Sequence, residues 1–203
     1  MTASVHAIIL AAGASERLGF PKALARFGRR TALQIAVRNV RAAGLQAPIV
    51  VLGHAAEFLT RYVSDLRASV VVNQAWKKGQ ASSFLTGLGK VPRSAAGFIL
   101  YPVDYPLLRP AHLRRLLATF CTRPDSQIFV PSHARHGGHP VLFRMAIRPE
   151  IERLGPGRTL RDIVYQNPGR ICFVPINSSA HRADFDTPDQ YRRLARRFIA
   201  RGG

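Results

Sequence analysis

Cysteine is scarce in this chain. Only Cys121 and Cys172 occur in 203 residues. They lie far apart and match no metal-ligand spacing, which excludes a disulfide scaffold and a cysteine-held metal. Two reduced thiols in or near a core fit a cytoplasmic protein. Long apolar runs are missing too: no stretch of about 18 uninterrupted apolar residues exists, so no membrane span is expected. The first residues lack the basic start, apolar run and small-residue cleavage site of a secretory leader. Acidic residues are few, 11 against 30 Lys and Arg, for a formal charge of +19.

That surplus attracts anions, which could be nucleotides, nucleic acid or an acidic protein. The basic residues are nearly all arginine and are spread over the whole chain. No basic block is interleaved with aromatics of the kind that stack on bases, so nucleic acid is not the expected partner. Hydrophobic residues make up 47% of the chain, enough for one substantial core. Without repeats, low-complexity tracts or a linker, residues 1–203 read as a single domain.

Short aliphatic runs at 5–10, 48–52, 69–72, 97–101, 127–131 and 171–176 predict strands. Several are apolar at consecutive positions, as in strands covered on both faces. Helical patterns near 31–43, 55–66, 80–89, 111–120 and 159–166 fall between them, and Gly44 suits a helix stop. This alternation predicts an α/β fold with a mostly parallel sheet. A last helix starts at about residue 188, where Thr187, Pro188 and Gln190 form a capping signal. Its exposed face carries Arg192, Arg193, Arg196, Arg197 and Arg201.

Residues 10–24 read LAAGASERLGFPKAL. A tight turn of small residues after a first strand lets backbone N–H groups approach a polyphosphate beyond the strand end. Leu10, Ala11, Ala12 and Gly13 line the turn. Arg17 can grip phosphate oxygens in pairs, and Lys22 supplies a compact positive charge. The string fails the dinucleotide fingerprint, because Ala14 and Ser15 follow the first glycine. It also fails the Walker loop, because Phe20 and Pro21 intervene and Ala23 follows the lysine.

The string resembles the L-A-A-G-x-S-x-R-x-G-x-P-K-x-L signature of MobA-like nucleotidyltransferases, and within them the molybdenum cofactor cytidylyltransferase branch. The resemblance implies a Rossmann-like three-layer sandwich of the nucleotide-diphospho-sugar transferase type, a magnesium-dependent reaction and release of pyrophosphate. Asp104, in YPVDYPLL after the fourth strand, stands where the family holds metal. Asp184 and Asp186 alternate in DFDTP, and similarity to the family's D-I-D-T-P segment makes Asp186 the second magnesium ligand, with Asp184 in reserve. Two carboxylates suffice for a magnesium ion that keeps phosphate and water ligands.

NQAWKKGQASSFLTGL, residues 73–88, resembles the family's N-x-x-W-x-x-G-x-x-S-S-L segment. It implicates Asn73, Gly79, Ser82 and Ser83 in nucleotide binding. Gly138, His139 and Pro140 precede an apolar run at 141–143 and resemble the G-H-P-V-L-F segment near the acceptor. LGPGRTLRDIV departs from the family's L-x-G-D-x-G-A-R: an acidic residue is missing and Arg158 follows Gly157.

The reaction these likenesses imply joins a nucleoside triphosphate to a phosphorylated acceptor such as molybdopterin. The acceptor phosphate is already ionised, so no strong base is required, and Arg17, Lys22 and Asp104 form the catalytic set. The Ala11–Ala12 pair resembles the cytidine-using branch. Alternatives are a sugar phosphate or another phosphorylated acceptor, an arginine-rich anion-binding module without catalysis, and a scaffold that hands a cofactor to an acidic apo-enzyme or chaperone.

Overall fold

The computed structural model describes residues 4–134, 136–155 and 157–202. Strand β1 (Val5–Ala11) opens the chain and leads through the loop to a small hairpin, β2 (Arg26–Phe27) and β3 (Arg30–Thr31). Then come α1 (Ala32–Ala42), β4 (Ile49–Leu52), α2 (Ala56–Thr60), β5 (Ser69–Val72), α3 (Gln80–Leu88) and β6 (Gly97–Pro102). The second half holds α4 (Pro110–Thr122), β7 (Ile128–His133), β8 (His136–Gly137) and β9 (Val141–Arg144). It ends with α5 (Arg148–Glu152), α6 (Leu160–Gln166), β10 (Ile171–Pro175) and α7 (Pro188–Ala200).

The main sheet runs β10-β7-β9-β6-β1-β4-β5, with β8 paired to β7. Its central strands are apolar on both faces, and the chain sorts these residues by alternation. Ala7 and Ile9 face a core shared with α1, α4 and α7. Ile8 and Leu10 face a second core shared with α3, α5 and α6. Burying strands from both sides is the reason their sequences read as continuous apolar runs. The six expected strands and the α/β architecture are all present. Among the described residues no helix is long and apolar enough to cross a membrane.

Two expectations change. The helix expected over 55–66 is split into α2 and a 3-10 turn at Ser64–Leu66. Its N-cap, Ala55, has no side chain able to cap and sits in a left-handed conformation. Leu59 and Val63 still bury against the sheet, so the apolar spacing survives although the helix does not. The apolar run at 141–143, not expected as a strand, becomes β9. It inserts antiparallel between β6 and β7.

That reversed strand matters for geometry. In β1 and β6 the carboxyl ends meet side by side, with Leu10 opposite Pro102 and the Val103 N–H donating to the Leu10 carbonyl at 3.0 Å. β9 runs the other way, so its amino end lies there, with Val141 opposite Leu100. The loop after β1, the loop after β6 and the segment before β9 therefore share one edge of the sheet.

The last helix forms as expected. The Thr187 hydroxyl accepts from the Gln190 N–H, and the Gln190 side chain returns to the Thr187 N–H at 3.0 Å. Leu194 is buried while Arg192, Arg193, Arg196, Arg197 and Arg201 are exposed.

Candidate active site

At the shared edge, the loop of residues 12–22 folds back on itself. Ser15 adopts a left-handed conformation (φ 57°) that lets its carbonyl accept from the Leu18 N–H and its hydroxyl from the Lys22 N–H at 3.1 Å. Gly19, at φ 83°, completes the reversal where a side chain would be strained. Together these fold Lys22 inward. Gly53 explains how close the neighbouring backbone lies: a Cβ there would meet the Ala12 carbonyl at 2.8 Å and the Trp76 Cβ at 2.6 Å.

The result is a cavity of about 570 Å³ lined by Leu10, Ala11, Ala12, Gly13, Arg17, Lys22, Gly79, Ser83, Asp104 and Asp186, among others. Its charges are paired. Lys22 Nζ donates to Asp104 Oδ2 and to Asp186 Oδ1, both at 2.6 Å, and Arg17 Nη2 reaches Asp186 Oδ2 at 2.9 Å. Burial acts to lower the Lys22 pKa, but attraction to Asp104 and Asp186 outweighs it and holds the ammonium above its ordinary value. The hydrogen bond from Lys22, helped by Arg17, holds Asp186 below the usual carboxylate range.

These residues fit a divalent cation. Two carboxylates converge on one point, now filled by the lysine ammonium, and Asp104 Oδ1 is buried with no hydrogen-bond partner. Among the described residues there is no cluster of three or more His, Cys, Asp or Glu side chains able to hold a metal. The site thus suits a hard cation that takes part of its shell from phosphate and water.

The 73–88 segment divides its labour. Asn73 is buried; its Nδ2 donates to Ser82 Oγ at 2.9 Å and Ser83 Oγ at 3.0 Å, and its Oδ1 accepts from the Ala75 N–H. Asn73 and Ser82 are absent from the cavity lining and instead pin the turn that presents Trp76. Ser83 and Gly79 do line the cavity. Gly79 is the N-cap of α3 at φ 96°, and the first N–H groups of that helix lie at the cavity wall.

A second cavity of about 370 Å³ lies beside the first and shares Gln80 with it. Gly138 and His139 line it; Pro140 is buried behind them, joined to His139 by a cis peptide bond. The His139 ring packs against Tyr105 with centroids 5.2 Å apart, and its Nδ1 is buried without a partner. Burial pushes His139 down to about 4, so its imidazole is neutral near pH 7. Tyr105 is pushed well above the ordinary phenol by burial and by Asp104, Asp184 and Asp186, so it stays protonated.

Asp184 lines this second cavity, not the first, and makes no bond to Lys22. Alternation alone does not separate it from Asp186, which lines the first cavity; the intervening Phe185 is fully buried and packs against Phe27. Ser15, Trp76 and Tyr105 line the two cavities without being among the expected site residues. Ser15 acts through a positive φ that no pattern announces.

Comparisons with known proteins identify the family. A family model described as "MobA-like NTP transferase domain" matches residues 7–171. Nicotine blue oxidoreductase from Paenarthrobacter nicotinovorans is 29% identical over 94% of this chain and 96% of its own length. Rv0371c from Mycobacterium tuberculosis H37Rv superposes with a TM-score of 0.84 at 30% identity, covering 97% of this chain and 100% of that one. A structure of Rv0371c in complex with manganese gives 0.80 at 28% identity, over 95% and 98%. A loop that delivers Lys22 between two aspartates, and a family model spanning most of the sheet, lead to one statement: this chain belongs to the MobA-like NTP transferase family.

Proposed function

We propose that this protein transfers CMP from CTP to the terminal phosphate of molybdopterin, releasing pyrophosphate, in the cytoplasm. The observation that carries the reading is the junction of Lys22, Arg17, Asp104 and Asp186 at the mouth of the phosphate loop. An acceptor phosphate oxygen attacks the α-phosphorus of CTP. The bond from that phosphorus to the bridging oxygen breaks, and the electron pair leaves with pyrophosphate.

Arg17 and Lys22 bind and orient the triphosphate, with the loop N–H groups from Gly13 onward against its oxygens. Magnesium held by Asp104 and Asp186 would supply charge neutralisation at the phosphates. Ser83 and the start of α3 face the same space and offer donors to the nucleotide. No residue is needed as a strong base, which accords with a neutral, desolvated His139 beside the acceptor position.

Cytidine as the base rests on the Ala11–Ala12 pair, both nearly buried at the cavity wall. A panel of CTP, GTP, ATP and UTP with molybdopterin, common sugar phosphates and magnesium tests the reading by pyrophosphate release. CTP with molybdopterin should give the fastest release. Equal release with GTP would overturn the base assignment, and release only with sugar phosphates would overturn the acceptor. A second reading, an oxidoreductase on the same fold, is favoured by the full-length likeness to nicotine blue oxidoreductase. It would be indicated by folded protein that releases no pyrophosphate with any pair yet reduces or oxidises a small organic substrate.

A further inference from the structure

The first two cavities account for the motif-bearing loops but leave most of the arginines unused. Away from both lies a third cavity, of about 270 Å³, between α1, the segment before α4 and the end of α7. Its rim carries Arg30, Arg38, Arg109 and Arg201, all exposed. Its floor is apolar, formed by Ile35 and Leu108 with Phe198 from α7. No carboxylate side chain lines it, and none of the four guanidiniums belongs to an ion pair among the described residues.

Five arginines elsewhere do meet carboxylates, Arg17 on Asp186 among them. Arg148 and Arg93 share Glu152, Arg170 forks onto Glu150, and Arg192 meets Asp189. Four like charges around one small opening repel one another unless an anion joins them. The opening is also built, not merely crowded. Arg109 Nη2 donates to the Arg201 carbonyl at 3.1 Å, tying the end of α7 to the start of α4. Asn39, buried in the wall, donates to the Leu108 carbonyl at 2.8 Å. The nearby His112 has its pKa lowered by burial and further by Arg109, His181 and Arg201, as expected in a positive field.

We propose that this third cavity is a binding site for a small organic polyanion: an apolar body seated on Ile35, Leu108 and Phe198, and a phosphate or carboxylate group held by Arg30, Arg38, Arg109 and Arg201. The apolar floor argues against inorganic phosphate alone as the ligand, since it would strip water from an anion without replacing those contacts. The guanidinium rim argues against a purely apolar one.

Isothermal titration with 1-naphthyl phosphate tests it, with inorganic phosphate and 1-naphthol as probes of the charge and the ring alone. The full chain is compared with R38Q/R109Q/R201Q, with R61Q/K90Q/R153Q, which removes the same charge elsewhere, and with R17Q/K22M, which disables the phosphate loop. The expected result is one naphthyl phosphate site that survives in R61Q/K90Q/R153Q and R17Q/K22M, and weakens by at least about 10-fold in R38Q/R109Q/R201Q. Inorganic phosphate and 1-naphthol should each bind at least about 10-fold more weakly than the combined probe. Equal weakening in both triple variants would show only a diffuse charge effect and overturn the proposal, as would loss confined to R17Q/K22M. Should R38Q/R109Q/R201Q fail to fold, the single variants R38Q and R109Q, each exposed, carry the same comparison.

Discussion

The first and second cavities share a wall but are built on opposite principles. In the first, the charges at its centre have opposite charges in contact: Lys22 with Asp104 and Asp186, Arg17 with Asp186. In the second, two buried titratable groups, His139 and Tyr105, are held neutral. His139 is desolvated to about 4, and the Tyr105 phenol is kept protonated. A site that must exchange its own ion pairs for those of a triphosphate keeps them ready-made. In the proposed reaction the acceptor would bring its own charge to the neutral His139 and Tyr105.

The comparison can be broken most forcefully at Asp104. Asp104→Asn removes a converging carboxylate while keeping its shape, and pyrophosphate release at saturating substrate should fall about 1000-fold. A drop below about 10-fold would mean that the first cavity does not work by charge neutralisation.

Lys22→Met comes next, with an expected fall of about 100-fold in kcat. It also carries a second readout. The lysine ammonium fills the point where Asp104 and Asp186 converge, so without it manganese should bind more tightly in the absence of nucleotide, measured by the loss of the free-ion EPR signal. Unchanged manganese affinity would show that the lysine and the cation do not compete.

Arg17→Lys is milder. Arg17 is 70% exposed, and its ion pair with Asp186 is screened by solvent, so folding stability should hardly move. The KM for the nucleotide should rise about 10-fold, because a point charge replaces a two-pronged donor.

The smallest effect sharpens the contrast from the second cavity. His139 has an ordinary value of 6.5 and is pushed down to about 4 in the folded protein. Between those values the unfolded chain takes up a proton that the folded chain refuses, so this group's contribution to stability is present above 6.5 and lost as pH falls toward 4. His139→Gln lacks that titration. Its melting midpoint should fall less than the wild type's between about pH 7.5 and about pH 5, with nucleotide KM unchanged. A rise in nucleotide KM would show that the two cavities act as one.

Much of this was legible in the residues. β1, β4, β6 and β7 announced themselves because burial on both faces leaves an unbroken apolar run; the edge strands β5 and β10 are partly exposed and were legible from their short β-branched or aliphatic runs. The cap of α7 was legible because Thr187, Pro188 and Gln190 each have a local job. β9 was harder: four residues of apolar sequence carry no sign of direction, and its antiparallel seat is fixed by β6 and β7, far away in the chain. At the site, the motif pointed to Lys22, Asp104 and Asp186, which do meet. Asn73 and Ser82 occupied the right segment but spend their hydrogen bonds on each other and on the turn. A motif marks where a loop must keep its shape as well as where it touches a ligand, and only coordinates tell the two apart.

The reversed strand has one more consequence. The phosphate loop and Asp104 follow strands, whereas Gly138 and His139 precede one. The two half-sites thus draw on supports of opposite polarity and meet at Gln80 and at the neighbouring Asp104 and Tyr105. Lengthening or rewriting the turn between β7 and β9 would reshape the wall proposed for the acceptor while the frame proposed for the triphosphate stayed still. A fold so arranged can change what it modifies without relearning how to hold a nucleotide.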